Sequence, residues 1–306
     1  MRLGILDFCL LREGLKPFHS LHESIFLAQE AEKLGYSRFW MAEHHELLYA
    51  QQAPEMMVPL VAGSTDTLRV GVAGMLLKLH SPLRVAKAFR LLESLFPGRI
   101  DLGVGGGEAD AEVALALRDG GAPLAQVRGE HARRTVHLLS LMRGEATPAF
   151  HPLGTPAPPF WMLGLGRAET AKLAAEHGTC FGYSLAHVQS KDDPSVCARY
   201  RDEFRSNPWQ ARPELVVAVS GLCAETEGEA HALALRGLGN PDPRLSVVGN
   251  PEQCRQQLEA LAHRYQADEL VFLDLAPDSA SRLRHYRLLS SALGLTTPPP
   301  VLQQTA

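Results

Sequence analysis

Short apolar runs alternate with amphipathic segments about every thirty residues along this chain of 306 residues. Runs rich in Val, Phe and Leu predict strands, and apolar residues at helical spacing between them predict helices. We therefore expect eight strand-like runs, each followed by helix. The expected strands are LGILDF, SRFWMA, LRVGVAGMLL, RIDLGVG, FWMLGLG, TCFGYSLA, ELVVAVSGLC and ELVFLDL.

Alternating strands and helices fit two α/β architectures, a closed (β/α)8 TIM barrel or an open doubly wound sheet. Eight units without a linker or a change of composition favour the barrel, as a single domain over residues 1–295. Segments 107–127 and 144–159 show no clear element and are expected to be loop insertions. The Pro-rich tail 296–306 is expected to be disordered.

Composition narrows the range of partners. The net charge is −4 and the Lys and Arg residues are scattered singly, so we expect no binding of nucleic acid or an anionic membrane. No apolar run approaches the roughly eighteen residues of a membrane span, and Met1–Asp7 lacks the features of a signal peptide. The five cysteines lie far apart, which suits a reducing cytosol. A cytoplasmic protein with a small-molecule substrate is expected.

The second strand ends in three ionisable residues, Glu43, His44 and His45. In a barrel the chemistry sits at the carboxyl ends of the strands, which is where these side chains lie. Proton handling and an ordinary polar cluster both fit the pattern. A metal site is disfavoured, because adjacent strand residues point to opposite faces and no second cluster with ligand spacing follows. We expect no metal.

Small and polar residues recur at the other strand ends. Glycine lacks a Cβ, so a flat ring can approach the backbone there and a phosphate can meet bare N–H groups. A cation and a hydroxyl at the start of the helix after the fifth strand suit an anion-binding helix N-terminus. The pattern predicts a phosphorylated planar cofactor. The candidate residues are Ala73, Gly74, Gly105, Gly106, Gly164, Arg167, Thr170, Tyr183 and Ser184.

Three short motifs occur in register in the first third of the chain. They are the strand end of GYSRFWMAEHH, the helix start HSPLR and the strand PGRIDLG. With them the chain resembles the bacterial-luciferase-like flavin-dependent monooxygenases, from residue 1 to about 110 and more weakly through FWMLGLGRAETAKLAAEHG. The resemblance implies a barrel, usually dimeric, that holds reduced flavin mononucleotide (FMN) at its carboxyl-end rim. It further implies that a flavin peroxide formed with oxygen oxidises a small substrate, while a separate flavin reductase supplies the reduced flavin.

The same resemblance assigns roles to particular residues. It implies that His44 is the active-site histidine, followed by His45 as in the family; an imidazole with a pKa near 6.5 can move protons. Ala73 and Gly74 match the small residues beside the isoalloxazine ring. Thr170 matches a hydroxyl that contacts the phosphate, and residues 164–167 occupy the phosphate loop.

The chain departs from the family pattern after the fourth strand. Residues 105–108, GGGE, stand where an arginine usually follows, so Arg167 and Arg128 are the candidate replacements for the phosphate cation. Lys78 replaces a proline of the third loop. His80 is expected either to bind substrate or to line a loop, and His131 to lie on a polar helix face.

These observations together predict a flavin-dependent monooxygenase that uses reduced FMN and oxygen on a small organic substrate. Two alternatives stay open. One is an oxidoreductase that transfers hydride with a deazaflavin, and the other is a non-catalytic, luciferase-like partner subunit or flavin-binding protein. A homodimer or a heterodimer with a related barrel is expected, through the helices near 55–65 and 83–95.

Overall fold

The computed structural model describes residues 1–11, 16–118, 130–236 and 246–296. Two of the expectations above fall outside these ranges. Arg128, a candidate phosphate cation, lies in 119–129, and all but Thr296 of the expected disordered tail lies in 297–306. Both stay predictions.

Eight parallel strands close into a barrel, as the repeat of strand and helix predicts. The strands pair in the order β1-β2-β3-β4-β5-β6-β7-β9, and β9 also pairs with β1, which closes the barrel. Among the described strands, the short β8 pairs with the carboxyl end of β7. The (β/α)8 fold is thereby confirmed. The strands are β1 Leu3–Asp7, β2 Arg38–Met41, β3 Arg69–Leu76, β4 Ile100–Gly105, β5 Phe160–Gly164, β6 Cys180–Ser184, β7 Leu215–Cys223, β8 Val247–Gly249 and β9 Glu269–Asp274.

The helices pack around the barrel and differ from the prediction in one respect. A helix over Ala111–Leu117 lies in a segment expected to be loop, where seven consecutive good helix formers or apolar residues follow Asp110. None of the helices in the described ranges is long and apolar enough to cross a bilayer. The helices are α1 Pro17–Lys33, α2 Pro54–Gly63, α3 Pro82–Leu95, α4 Ala111–Leu117, α5 His131–Arg143, α6 Ala168–His177, α7 Ser195–Asp202, α8 Glu227–Arg236, α9 Pro251–Tyr265 and α10 Ser279–Leu293.

Strand residues alternate between two apolar layers, because successive side chains of a strand point to opposite faces. Phe39 and Met41 of β2 belong to the outer cluster, which the strands share with the helices. Trp40 and Ala42 belong to the inner cluster, which fills the barrel. A residue's parity along its strand thus decides whether it reaches the interior and the site at its mouth.

A charged network fills the base of the barrel, at the amino ends of the strands. Arg38 donates to both carboxylate oxygens of Glu269, at 2.7 and 2.8 Å, and to Asp101 at 3.2 Å. Its guanidinium lies 4.8 and 4.9 Å from the ring centroids of Trp40 and Trp161. All five side chains are buried. The base is therefore occupied by protein, and the open end is the one where the carboxyl termini of the strands meet.

Candidate active site

His44 lies at the carboxyl end of β2, in the mouth of the barrel. Its imidazole stacks on the ring of Tyr49 with 4.4 Å between centroids, and contacts the ring of Phe8 at 4.6 Å. The side chain is 22% exposed, and burial lowers its pKa to about 4. The imidazole is therefore neutral at pH 7 and keeps a nitrogen that can accept a hydrogen bond or a proton.

Glu43, His45 and His80 form a buried group beside the mouth, which we call the Glu43 cluster. Oε1 of Glu43 lies 2.7 Å from Nε2 of His45 and 2.7 Å from Nε2 of His80. Oε2 accepts a hydrogen bond from the N–H of Leu76 at 2.7 Å. Burial acts against the charged forms of Glu43 and His80, but the hydrogen bond between these two side chains lowers the pKa of Glu43 and raises that of His80. The cluster ties the end of β2 to the loop after β3.

The two histidines predicted to be catalytic therefore have different surroundings. His44 lies against Phe8, a member of the inner cluster, whereas the side chain of His45 is 8% exposed and directed to Glu43. The catalytic role of His45 stays a prediction. His80 was expected either to bind substrate or to line a loop. In the structure it lines the loop after β3, where its ring is bonded to Glu43. Within the described ranges, no group of three or more His, Cys, Asp or Glu side chains could hold a metal ion.

Ala73 and Gly74 lie within β3, beside Gly105, the last residue of the neighbouring β4. The Ala73–Gly74 peptide bond is cis, and the register of β3 against β4 shifts between Val72 and Met75. A Cβ at Gly105 would have no described atom within 4 Å. A flat ring can therefore approach the backbone at this position without meeting a side chain.

Lys78 and Glu108, the two unusual residues of the third and fourth loops, meet at the same side of the mouth. Nζ of Lys78 lies 2.8 Å from Oε1 of Glu108, so the acid that follows the glycines is neutralised. His131 lies beside them: a Cβ at Gly106 would be 3.2 Å from its ring. Burial, with help from Lys78, lowers the pKa of His131 to about 4. The prediction that His131 belongs to a polar helix face is wrong, because its ring packs inward against the loop after β4.

The turn after β5 leads into the N-terminus of α6. Gly166 has a φ of +104°, which a glycine adopts at little cost, and Arg167 is the exposed N-cap residue. Cβ of Thr170 is 3.4 Å from where a Cβ on Gly164 would stand. Lys191, in the loop after β6, donates its N–H to the carbonyl of Leu165 at 3.1 Å. Two cations, Arg167 and Lys191, thus flank this turn.

The two candidates on β6 point in opposite directions. Tyr183 belongs to the outer cluster, and its hydroxyl donates to the carbonyl of Lys191. Ser184 has the opposite parity and ends the strand at the mouth, where its Oγ accepts from the N–H of Ala186 at 3.2 Å. The structure thus places Ser184 at the mouth with Gly105 and His44. The side chain of Tyr183 lies outside the barrel, between the strands and the helices.

Comparison with known proteins identifies the family of this barrel. The family model described as luciferase-like monooxygenase matches residues 1–244. The chain belongs to the luciferase-like monooxygenase family. Among relatives in Bacillus subtilis strain 168, YwcH is 33% identical, with 95% of this chain and 98% of that protein covered. N-acetyl-S-alkylcysteine monooxygenase is 31% identical, with 87% of this chain and 81% of that protein covered. The protein is thus an oxidoreductase of the luciferase-like monooxygenase class.

Solved structures share the whole barrel. The crystal structure of apo-MsnO8 superposes with a TM-score of 0.87 at 33% identity, over 96% of this chain and 99% of that one. Two more distant structures show the fold alone. The oxygenating constituent of 3,6-diketocamphane monooxygenase from Pseudomonas putida, in complex with FMN, has a TM-score of 0.74 at 16% identity, covering 99% of each chain. An F420-dependent secondary alcohol dehydrogenase has 0.67 at 18%, over 96% of this chain and 99% of that one.

Proposed function

We propose that this protein is the oxygenating component of a flavin-dependent monooxygenase, which uses reduced FMN and oxygen to oxidise a small organic substrate at the barrel mouth. The observation that carries the proposal is the neutral imidazole of His44 at a mouth where Gly105 presents bare backbone. The named activity of the N-acetyl-S-alkylcysteine relative and the FMN bound to a protein of the same fold support it.

The residues at the mouth fit a phosphorylated flavin. Backbone at Gly105 suits one face of a flat ring, because the space beside it is free of described atoms, whereas a Cβ at Gly74 would meet the side chain of Leu163 at 2.5 Å. Ala73 and Gly74 would border the ring from β3. The phosphate would lie at the N-terminus of α6, where helix N–H groups attract anions. Arg167 and Lys191 would supply the positive charge that the loop after β4 lacks, and Thr170 a hydroxyl.

The chemistry divides between the flavin and the chain. Bound reduced FMN supplies the two electrons that let one oxygen atom enter the substrate while the other leaves as water. His44 is placed to accept a proton, since its imidazole is neutral at pH 7. Phe8 and Tyr49 contact that ring and shield part of it from water.

A reductase and a second barrel complete the proposed system. The enzyme would receive its reduced FMN from a separate flavin reductase. Pairing with a second copy or a related barrel is proposed through α2 and α3, which expose large apolar side chains. These are Met56 at 66%, Leu60 at 54%, Leu91 at 53% and Leu95 at 60% exposure. Light scattering would report twice the chain mass of 33.4 kDa for a homodimer.

The test is an anaerobic titration of the purified protein with reduced FMN, followed by oxygen uptake. We expect binding that weakens at least about tenfold in Arg167→Ala and in Lys191→Ala, since each removes a charge at the phosphate. Lys172→Ala is the matched control, because Lys172 is an exposed cation on the same helix, and binding should be unchanged. His44→Ala should bind reduced FMN normally but lose most substrate oxygenation.

Two outcomes would count against the proposed reaction, and a third would count only against the role of His44. Binding of a deazaflavin with no reaction with oxygen would favour hydride transfer. Failure to bind either flavin would favour a non-catalytic partner subunit. Full oxygenation by His44→Ala would remove the role assigned to that imidazole while leaving the reaction class intact.

A further inference from the structure

A second cavity lies at the opposite end of the barrel from the mouth. It has a volume of about 510 Å³ and is bounded by the end of α5, residues 154–159 and residues 208–210. Phe160 and Cys180, the first residues of β5 and β6, form part of its wall. The volume is in the range of small-molecule sites, and nothing in the proposed flavin chemistry uses this cavity.

The charge of this base cavity is unbalanced. Its lining holds two arginines, Arg90 of α3 and Arg143 of α5, and no acidic side chain among the described residues that border it. No ion pair joins either guanidinium to a carboxylate within the ranges that the structure covers. Both are half-buried, and burial lowers the pKa of each. The exposed Glu145 offsets the charge of Arg143 only in part. Half-buried positive charge without a close partner is costly, so an anion at this place would be stabilised.

The hydrogen bonds of the two arginines fix their positions without neutralising them. Arg90 donates to the carbonyl of Met142 at 2.9 Å, and Arg143 to the carbonyl of His177 at 2.8 Å. Nε of each is buried and has no described acceptor. A guanidinium has five N–H donors. Burial closes both Nε atoms to an incoming group, so the donors left for one are the terminal N–H groups that these carbonyls do not take. The backbone contacts hold the pair in place.

Part of the remaining wall is apolar and flat, beside the polar residues Thr155, Thr179 and Gln210. The guanidinium of Arg143 lies 4.5 Å from the ring centroid of Trp209, whose side chain is 49% exposed. The prolines of residues 156–159 form another wall. These surfaces suit an apolar or aromatic body, because stacking on Trp and contact with proline need no hydrogen bonds.

We propose that the base cavity binds a small organic anion, with a carboxylate or phosphate on Arg90 and Arg143 and a flat apolar body beside Trp209. The site is separate from the flavin site and does not depend on the proposed oxygenation. It offers recognition by charge and by shape together, since bidentate contact with an oxyanion and stacking are both within the chemistry of arginine.

The experiment titrates the wild-type protein with benzoate and with benzamide, its neutral counterpart, and follows the fluorescence of Trp209. Trp209→Phe identifies the signal from that ring, because Trp40 and Trp161 are buried in the barrel. Phenyl phosphate and inorganic phosphate then show which oxyanion is preferred and whether the aromatic body contributes. Arg143→Gln and Arg90→Gln are compared with Arg133→Gln, a matched loss of an exposed cation on α5.

We expect benzoate or phenyl phosphate to bind at least tenfold more tightly than benzamide and inorganic phosphate. Arg143→Gln should weaken binding about tenfold, whereas Arg133→Gln should leave it within twofold. Equal binding of benzoate and benzamide would overturn the proposal even if neither arginine variant folds. So would the absence of any saturable signal up to about 10 mM, where a millimolar site would be mostly filled.

Discussion

His44 shows how burial sets the protonation state of one side chain in the mouth. Its pKa is about 4 in the folded protein against 6.5 for a free imidazole. At a pH between these two pKa values, His44 is protonated in the unfolded chain but not in the folded chain. Lowering the pH therefore favours unfolding. The stabilising contribution is complete above pH 6.5 and is lost as the pH falls toward 4.

The first prediction concerns acid stability. Denaturant unfolding between pH 6.5 and 4 should show a free energy of unfolding that falls less steeply in His44→Gln than in wild type, by up to about 3 kcal/mol over the range. His137→Gln, an exposed histidine of α5, should follow the wild-type curve. Parallel curves for His44→Gln and wild type would show that the imidazole is not shielded as described.

The second prediction concerns the shared carboxylate of the Glu43 cluster. Glu43→Gln should lower the pKa of His80, because burial then acts without the opposing negative charge, and should cost roughly 2–4 kcal/mol of stability. NMR titration of the imidazole and denaturant unfolding measure the two effects. Glu46→Gln, an exposed acid three residues along, is the control and should change neither. An unaltered pKa of His80 would contradict the coupling.

For single residues, the sequence predicts only roles that a local pattern reveals. His44 could be predicted because it ends a recognisable strand, where barrels place their chemistry. The partnership of Glu43 with His80 joins residues 37 positions apart, in two different units, so no local pattern reveals it. Lys191 was missed for the same reason. The loop around it has no periodicity, and only folding brings it to the turn after β5.

Two loops of the barrel are joined by the ion pair of Lys78 and Glu108, which connects the end of β3 to the end of β4. The side chains are 8% and 31% exposed, so solvent screens the pair only in part. A double-mutant cycle with Lys78→Met and Glu108→Gln should give a coupling energy of about 1 kcal/mol or more.

The exposed pair of Arg133 and Glu130, with nitrogen and oxygen 3.1 Å apart, offers the matched cycle on α5. It should give roughly 0.5 kcal/mol or less, as exposed pairs do. Equal coupling in the two cycles would mean that the mouth pair is as hydrated as a surface pair, and that it does not order the loops.

Element boundaries were largely predictable, and the exceptions have physical causes. Proline at the first turn and glycine after the last set limits to helices such as Pro82–Leu95 and Ala168–His177. The strand Val247–Gly249 was missed because three residues carry no period, and its pairing is with β7 alone. The helix Ala111–Leu117 was hidden by the glycines before it.

Arg38 of β2 joins β4 and β9 through Asp101 and Glu269. Its substitution therefore tests the stability of the whole barrel. Arg38→Met should destabilise the protein by roughly 3–5 kcal/mol, because the buried Glu269 would keep as its cation only the exposed Arg2 at 3.6 Å and the buried Asp101 only Arg69. Arg38→Lys should recover only part of the loss, since an ammonium cannot make the forked contact with Glu269. Denaturant unfolding measures both.

The control for Arg38 is Arg255→Ala on α9, whose ion pairs with Glu252 and Glu259 are exposed to solvent. This substitution should leave the free energy of unfolding unchanged within error. If Arg38→Met were equally silent, the base network would be dispensable, and apolar packing alone would close the barrel.

The closed barrel itself was the most predictable property, because eight repeats of strand and helix leave few arrangements of the chain. The interior charge was not. An arginine in the strand RFWM gives no sign from sequence that it faces inward to two carboxylates, since parity decides the face and the register is set by the neighbouring strands.

The bond from Arg38 to Glu269 spans 231 residues, and this separation has a consequence during synthesis on the ribosome. When β1 to β7 have emerged, the guanidinium still lacks the carboxylate of β9, and the sheet keeps two unpaired edges. Such edges invite pairing with other chains. Until β9 emerges, the nascent protein therefore remains an open sheet with two exposed edges, and it is most prone to aggregation during this interval.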